Sequence, residues 1–159
     1  MSKLAIIGAG GHTRSLLVLV KSLFGGSDIS IYDDSFEEGA NEMISSVPLV
    51  GRINDIPLDR NIILSIGDNE LRNGYFSRFR QQIVDESLSH DTAIREADST
   101  VGKSNQFYAN SYVGAEVGIG DNNILNSGSI VEHESRIGSH NHISEEREYV
   151  VDLMSAACV

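Results

Sequence analysis

The chain has 159 residues, with 12 Lys and Arg against 23 Asp and Glu, giving a net charge of −11 and a pI near 4.7. That balance excludes a nucleic-acid or anionic-membrane surface, which needs clustered cations. The single cysteine, Cys158, excludes an intrachain disulfide, and no segment reaches the roughly 18 apolar residues of a membrane-spanning helix.

The opening MSKLAIIGAGG lacks the apolar core and cleavage site of a secretory leader, so the expected compartment is the cytoplasm. Leu4 to Ile7 is a short, fully apolar run of the kind found in buried parallel strands. It ends in Gly8-Ala9-Gly10-Gly11-His12. A helical pattern follows from Thr13 to Phe24, with Leu16, Leu17, Val20, Leu23 and Phe24 on one face, stopped by Gly25-Gly26. Ile29 to Tyr32 reads as a second strand ending in Asp33-Asp34. Val47 to Val50 is extended, and Asn54 to Pro57 is a turn or a helical stub. Asn61 to Ile66 is a third buried strand ending in Gly67-Asp68-Asn69. The helix Glu70 to Ile83 is expected to carry Leu71, Phe76, Phe79 and Ile83 inward. Strands alternating with helices predict a small doubly wound parallel sheet over residues 1–85.

The glycine turn after the first strand feeds a helix N-terminus, where backbone N–H groups and the positive dipole end suit phosphate. It departs from the dinucleotide fingerprint, because the third glycine would fall at Thr13. An NAD-dependent oxidoreductase therefore rests on this turn alone. Asp33 or Asp34 sits where a ribose-binding carboxylate would.

From Val101 the text reads in sixes. An apolar residue opens each unit: Val101, Phe107, Val113, Ile119, Leu125, Val131, Ile137 and Ile143. Gly follows at Gly102, Gly114, Gly120 and Gly138. A small or polar residue usually stands four places after the opener, Val117 being the exception. A period of six fits neither a helix nor an amphipathic strand and marks a hexapeptide-repeat parallel β-helix, three short strands to a triangular coil. The openers point into the prism, and the Gly and Asn positions are expected at the corners. This unit is placed at residues 86–144, after a polar boundary around Asp85 to Ser99.

Inside the repeats, Ile130-Val131-Glu132-His133-Glu134 is the second chemical candidate. His133 is third in its unit and points away from the prism axis. A neutral imidazole can take a proton from an amine or hydroxyl as it attacks a thioester carbonyl, and the adjacent Glu134 can fix the tautomer. Asn126, seven residues earlier, is placed to hold the attacking group. His140 and His142 complete a local His cluster, but it lacks any ligand spacing of a metal site, and no metal is expected.

LAIIGAGGH, the DD after the second strand, SIGDN after the third, and ILNSGSIVEHESRIGSHNHIS together resemble the sialic-acid O-acetyltransferase family. That family includes N-acetyltransferases acting on nucleotide-linked 4-amino sugars, and the resemblance covers residues 3 to about 144. It implies a Rossmann-like sugar-nucleotide domain and a short left-handed parallel β-helix that forms a homotrimer, with acetyl-CoA bound between neighbouring β-helices. It also implies His133 as general base and Glu134 as its supporting carboxylate, Asn126 near the acceptor and His142 at the acetyl-CoA end. Gly11, His12, Asp33, Asp34, Gly67 and Asn69 would line the sugar-nucleotide pocket.

After Ser144 the hexapeptide phase is lost and the family's further coils are replaced by EEREYVVDLMSAACV. The segment 145–159 reads as a short amphipathic helix or frayed tail, with Tyr149, Val150, Leu153 and Met154 capping the last coil. The change is abrupt enough to suggest a truncated or frameshifted gene. The units from Val101 on give fewer than three coils, and solenoids need several stacked repeats. A weakened trimer is therefore expected. So is an alternative function, a non-catalytic sugar-nucleotide-binding or assembly protein.

Overall fold

The computed structural model describes residues 2–144; the expectations placed on 145–159 lie outside the described residues. The chain divides into two compact units, one of residues 1–84 and one beginning at Asp85. Among the described residues no helix is long and apolar enough to cross a membrane.

In the first unit the elements run β1 (Lys3–Ile7), α1 (Gly11–Leu23), β2 (Asp28–Tyr32), β3 (Met43–Ile44), β4 (Val47–Gly51), β5 (Asn61–Leu64) and α2 (Asn69–Arg78). The sheet order is β3-β4-β2-β1-β5. β1 lies centrally and pairs in parallel with both β2 and β5. Leu4, Ala5, Ile6 and Ile7 are all buried, as a strand covered on both faces requires. Ala5 and Ile7 pack with Tyr32, Ile53, Ile62 and Leu64, and Phe76, Phe79 and Ile83 cover that cluster. The chain leaves β1 towards β2 on one side and returns to β5 on the other. That topology puts a crevice at the carboxyl ends of the strands.

Two helix assignments need correction. Leu23 is 45% exposed, and Leu19, absent from the expected face, is buried. On α2, Leu71 is half exposed while Arg72 is fully buried, so the inward position belongs to a cation. The hairpin partner β3, antiparallel to β4, carries too short an apolar run to be read from sequence.

The second unit is a parallel β-helix of ten two-residue strands. They are β6 (Leu88–Ser89), β7 (Ile94–Arg95), β8 (Thr100–Val101), β9 (Gln106–Phe107), β10 (Tyr112–Val113), β11 (Gly118–Ile119), β12 (Ile124–Leu125), β13 (Ile130–Val131), β14 (Arg136–Ile137) and β15 (His142–Ile143). They form three faces: β15-β12-β9-β6, β13-β10-β7 and β14-β11-β8. Every third strand pairs, so Tyr112 stands between Ile94 and Ile130, and Ile119 between Val101 and Ile137. The openers from Phe107 to Ile143 form one apolar column inside the prism. Val117 joins that column, which is why an apolar residue is accepted at its position.

The prism starts earlier than the repeat text indicates. β6 and β7 add two rungs before Val101, within the stretch read as a polar boundary. Ser89 and Arg95 stand at their opener positions, so the apolar signal fails there while the backbone pairing continues. Three full coils result where fewer were expected.

The corners also differ from expectation. Positive φ recurs at Ser104, Asn110, Glu116, Asn122, Gly128, Glu134 and His140, always three residues after an opener. Only one of these is glycine. The left-handed turn aims the backbone N–H at the preceding coil: Glu134 donates to Ala115 O (2.9 Å), Asn122 to Lys103 O (2.8 Å) and His140 to Asp121 O (2.9 Å). The glycines one place after the opener serve close approach instead. A Cβ at Gly120 would lie 2.9 Å from Gly138 O, and one at Gly114 would lie 2.8 Å from His133 N. Between strands, asparagines stack, Asn105 and Asn123 buried and Asn141 partly so. Asn123 donates from N and Nδ2 to Asn105 Oδ1 (2.8 and 3.0 Å), and Asn141 does the same to Asn123 Oδ1 (2.8 and 3.1 Å).

Candidate functional site

The first unit has a cleft of about 270 Å³ where β1, β2 and β5 end. Gly8, Asp33 and Asp34 form one side, and Ile53, Ile66, Leu71 and Tyr75 supply apolar and phenolic surface. Gly8 has φ +112°, and a Cβ there would sit 2.5 Å from Ser65 O. This turn therefore requires glycine on two grounds, backbone sign and contact with the neighbouring strand exit. Thr13, in the place of a third fingerprint glycine, donates its hydroxyl to Gly8 O (2.8 Å) and accepts from Ser65 Oγ (3.0 Å). It ties the two turns together.

Asp33 is a strut of the cleft. Its carboxylate accepts from Ala9 N (2.8 Å) and Ser35 N (2.9 Å). Burial alone would raise its pKa, but the hydrogen bonds from Ser35 and Ala9 prevail and hold it below the ordinary carboxylate value. Asp34 accepts from Ile53 N at 3.2 Å through Oδ1 and remains exposed. Burial, reinforced by the charge of Asp34, raises the pKa of Tyr75, so its phenol stays protonated in the cleft. Gly11 opens α1, whose N-terminus no side chain caps, and His12 follows it. Gly67 lies in the turn from β5 to α2 and Asn69 opens α2, and both give oxygens to Arg72. The cleft brings Asp33 and Asp34 together; Gly11, His12, Gly67 and Asn69 stand outside its lining.

In the second unit, His133 and Glu134 form the corner after β13. His133 Nδ1 lies 3.1 Å from Glu134 Oε2, and the two side chains are 70% and 72% exposed. Glu134 holds φ +60°, so a left-handed residue presents the carboxylate to the ring beside it. Two residues that sequence reasoning passed over shape this corner. Gly114 lets the backbone at His133 approach the coil below. Arg136 donates to Glu116 O (2.6 Å), Ser135 O (3.2 Å) and Glu134 O (3.3 Å), gathering the corner's carbonyls. The glycine rhythm was a usable signal for Gly114; nothing in the text marks Arg136.

Asn126 belongs to the preceding corner, where its N–H donates to Ile143 O (2.9 Å) and its carbonyl accepts from Ser129 N (3.1 Å). His142 lies on the face β15-β12-β9-β6, in register with Ile124. The imidazole and carboxylate of His133 and Glu134 thus come together after β13, whereas Asn126 and His142 belong to the β12–β15 pairing. Among the described residues no group of His, Cys, Asp and Glu gathers to hold a metal ion. Leading to the His133 corner is an outward column, Ile94, Tyr112 and Ile130, with Ile94 57% and Ile130 41% exposed.

Residues 3–79 match the PglD N-terminal domain family. The match spans the α/β unit from β1 through α2. PerB from Caulobacter crescentus, solved with CoA and GDP-perosamine, superposes with a TM-score of 0.77 at 25% identity, covering 89% of this chain and 68% of PerB. The acetyltransferase domain of PglB from Neisseria gonorrhoeae FA1090, solved with acetyl coenzyme A, gives 0.74 at 24% identity, covering 88% of this chain and 69% of that one. WeeI from Acinetobacter baumannii AYE gives 0.77 at 16% identity, with 89% and 69% covered. The last two speak to the fold alone. No curated protein sequence matches it.

Proposed function

We propose that this chain is a PglD-like acetyltransferase that transfers an acetyl group from acetyl-CoA to the amine of a nucleotide-linked amino sugar, with His133 as general base. The observation that carries the reading is the His133–Glu134 pair, 3.1 Å apart on a β-helix whose structural likeness PerB is solved with CoA and a nucleotide sugar. With its Nδ1–H turned to Glu134, the imidazole keeps the Nε2 lone pair for a proton. The amine nitrogen attacks the thioester carbonyl and gives its proton to Nε2. The C–S bond then breaks, leaving an amide and the CoA thiolate, which takes up a proton. Glu134 supports the imidazolium that forms. In the first unit, the glycine turn and the uncapped start of α1 suit the diphosphate, and the cleft of Asp33 and Asp34 suits donors on the nucleoside.

An exposed imidazole is a weak catalyst in water, because solvent competes for its charge. The reading therefore includes association into a trimer that covers the His133 corner, supported by the uncovered column Ile94-Tyr112-Ile130. The test is thiol release from acetyl-CoA with a panel of nucleotide-linked amino sugars. His133→Ala is expected to lower kcat/KM by about 10²–10⁴-fold while nucleotide binding persists. A variant as fast as the parent chain would end this assignment.

A further inference from the structure

Arg72 is the largest fully buried side chain in the described structure, at 0% exposure, on a helix turn whose neighbours Asn69, Glu70, Leu71 and Asn73 are all exposed. Burying a guanidinium is costly unless its donors are used, and here they are. Nη1 donates to Ile66 O (3.0 Å) and Gly67 O (3.1 Å), and Nη2 to Asn69 Oδ1 (2.8 Å). Burial lowers its pKa to about 10, against the opposing pull of Asp68, so the group stays a cation at neutral pH. The planar fork thus ties the exit of β5 to the first residue of α2, and the chain from 66 to 69 wraps around it. Asp68 caps the same helix by accepting from Leu71 N (2.8 Å).

What this turn carries is one wall of the cleft. Ile66 lies within it, and Leu71 and Tyr75 follow on the first turns of α2, facing the side formed by Asp33 and Asp34. The Ser65–Thr13–Gly8 relay links the start of the same turn to the glycine turn. We propose that Arg72 is a positioning residue for nucleotide recognition: its guanidinium fixes the turn after β5 and so sets the width and wall of the cleft. This rests on the reading that the first unit binds the nucleotide part of the substrate.

The experiment titrates the full chain with UDP, GDP, CDP and ADP by calorimetry, with acetyl-CoA as a control ligand. Amide exchange is followed over residues 65–71. Arg72→Lys keeps the charge without the fork, and Arg72→Met fills the space without donors. Both are expected to weaken the best nucleoside diphosphate about tenfold, the equivalent of one lost charged hydrogen bond. Exchange in the turn should speed up and acetyl-CoA affinity should hold. Should the Arg72 variants fail to fold, the exposed acceptor serves instead. Asn69→Ala should lose several-fold in affinity and Asn69→Asp should restore it, because Asp keeps an acceptor for the fork.

Folded Arg72 variants that bind as the parent does would overturn the proposal while leaving the nucleotide reading in place. So would a parallel loss of acetyl-CoA affinity, which would mark general loosening, or equal losses in both Asn69 variants, which would mark direct contact by the amide. Absence of any nucleoside diphosphate binding by the parent chain would remove the nucleotide reading itself, and the proposal with it.

Discussion

The two units solve the problem of holding a site by opposite means. In the α/β unit the cleft is made of turns that are far apart in sequence, after β1, β2 and β5, and each is held by a particular side chain: Thr13 on Gly8, Asp33 on Ala9, Arg72 on Ile66 and Gly67. In the β-helix the His133 corner is one copy of a repeating unit and is held by backbone, through Glu134 N–H to Ala115 O and the close approach at Gly114. Substitutions in the first unit should therefore act locally through a named side chain. Those in the second should propagate to the neighbouring coils, because each coil rests on the next.

The largest break in that comparison is expected in the prism core. Leu125 is 0% exposed in the middle of the opener column. Leu125→Ala should cost about 2–5 kcal/mol through lost burial and the cavity left behind. Stacked coils transmit the loss, so amide exchange should accelerate on both neighbouring coils while the α/β unit keeps its protection. Destabilisation confined to residues next to Leu125 would contradict the stacked-coil view.

Gly114→Ala is a smaller change with a sharper consequence. The new Cβ would lie 2.8 Å from His133 N and 3.2 Å from Glu132 C, both backbone atoms that cannot rotate away. Overpacking of this kind costs about 1–3 kcal/mol. The displaced segment carries the imidazole, so kcat should fall by more than the stability loss explains, with nucleotide affinity unchanged. A variant that loses stability but keeps kcat would separate the corner from the chemistry.

How far the sequence carried this comparison differs between the units. The opener column was plain in the text because each coil repeats the same burial demand, and Phe107 to Ile143 meet it without exception. The first two rungs were hidden because Ser89 and Arg95 occupy openers at the end of the prism, where no coil below demands an apolar residue. The left-handed corners were invisible because backbone pairing, not residue type, imposes them on Glu116, Glu134 and His140. In the α/β unit the strands could be read from apolar runs. Arg72 could not, since a lone arginine on a polar helix looks like any solvated charge, and only the turn's oxygens explain its burial. Asp33 and Asp34 were placed at the cleft by their position after a strand, a rule of topology.

Acid should probe the first unit more than the second, and more gently than either substitution. Asp33 has a lowered pKa in the folded chain. A depressed carboxylate contributes stability that is fully present above its unfolded value and is lost as pH falls through the lower folded value. Below the ordinary 3.8, exchange protection at Ala9 and Ser35 should weaken, and Asp33→Asn should flatten that dependence. An unchanged acid profile in the Asn variant would show that other carboxylates govern this turn.

The smallest effect has the opposite sign. Glu116 holds φ +57° and is exposed, so its side chain gains little in return for the strained conformation. Left-handed backbone costs a non-glycine residue about 1–2 kcal/mol, whereas glycine enters it freely but loses more entropy on folding. The balance favours Glu116→Gly by about 0.5–1 kcal/mol, a rise of a few degrees in the melting temperature of the β-helix. The backbone oxygen that Arg136 uses is retained, so acetyl transfer should not change. A glycine at the neighbouring Ala115, which is not among the positive-φ residues, should destabilise. If both substitutions destabilise equally, the corner is set by the side chain at 116 and not by the pairing of coils.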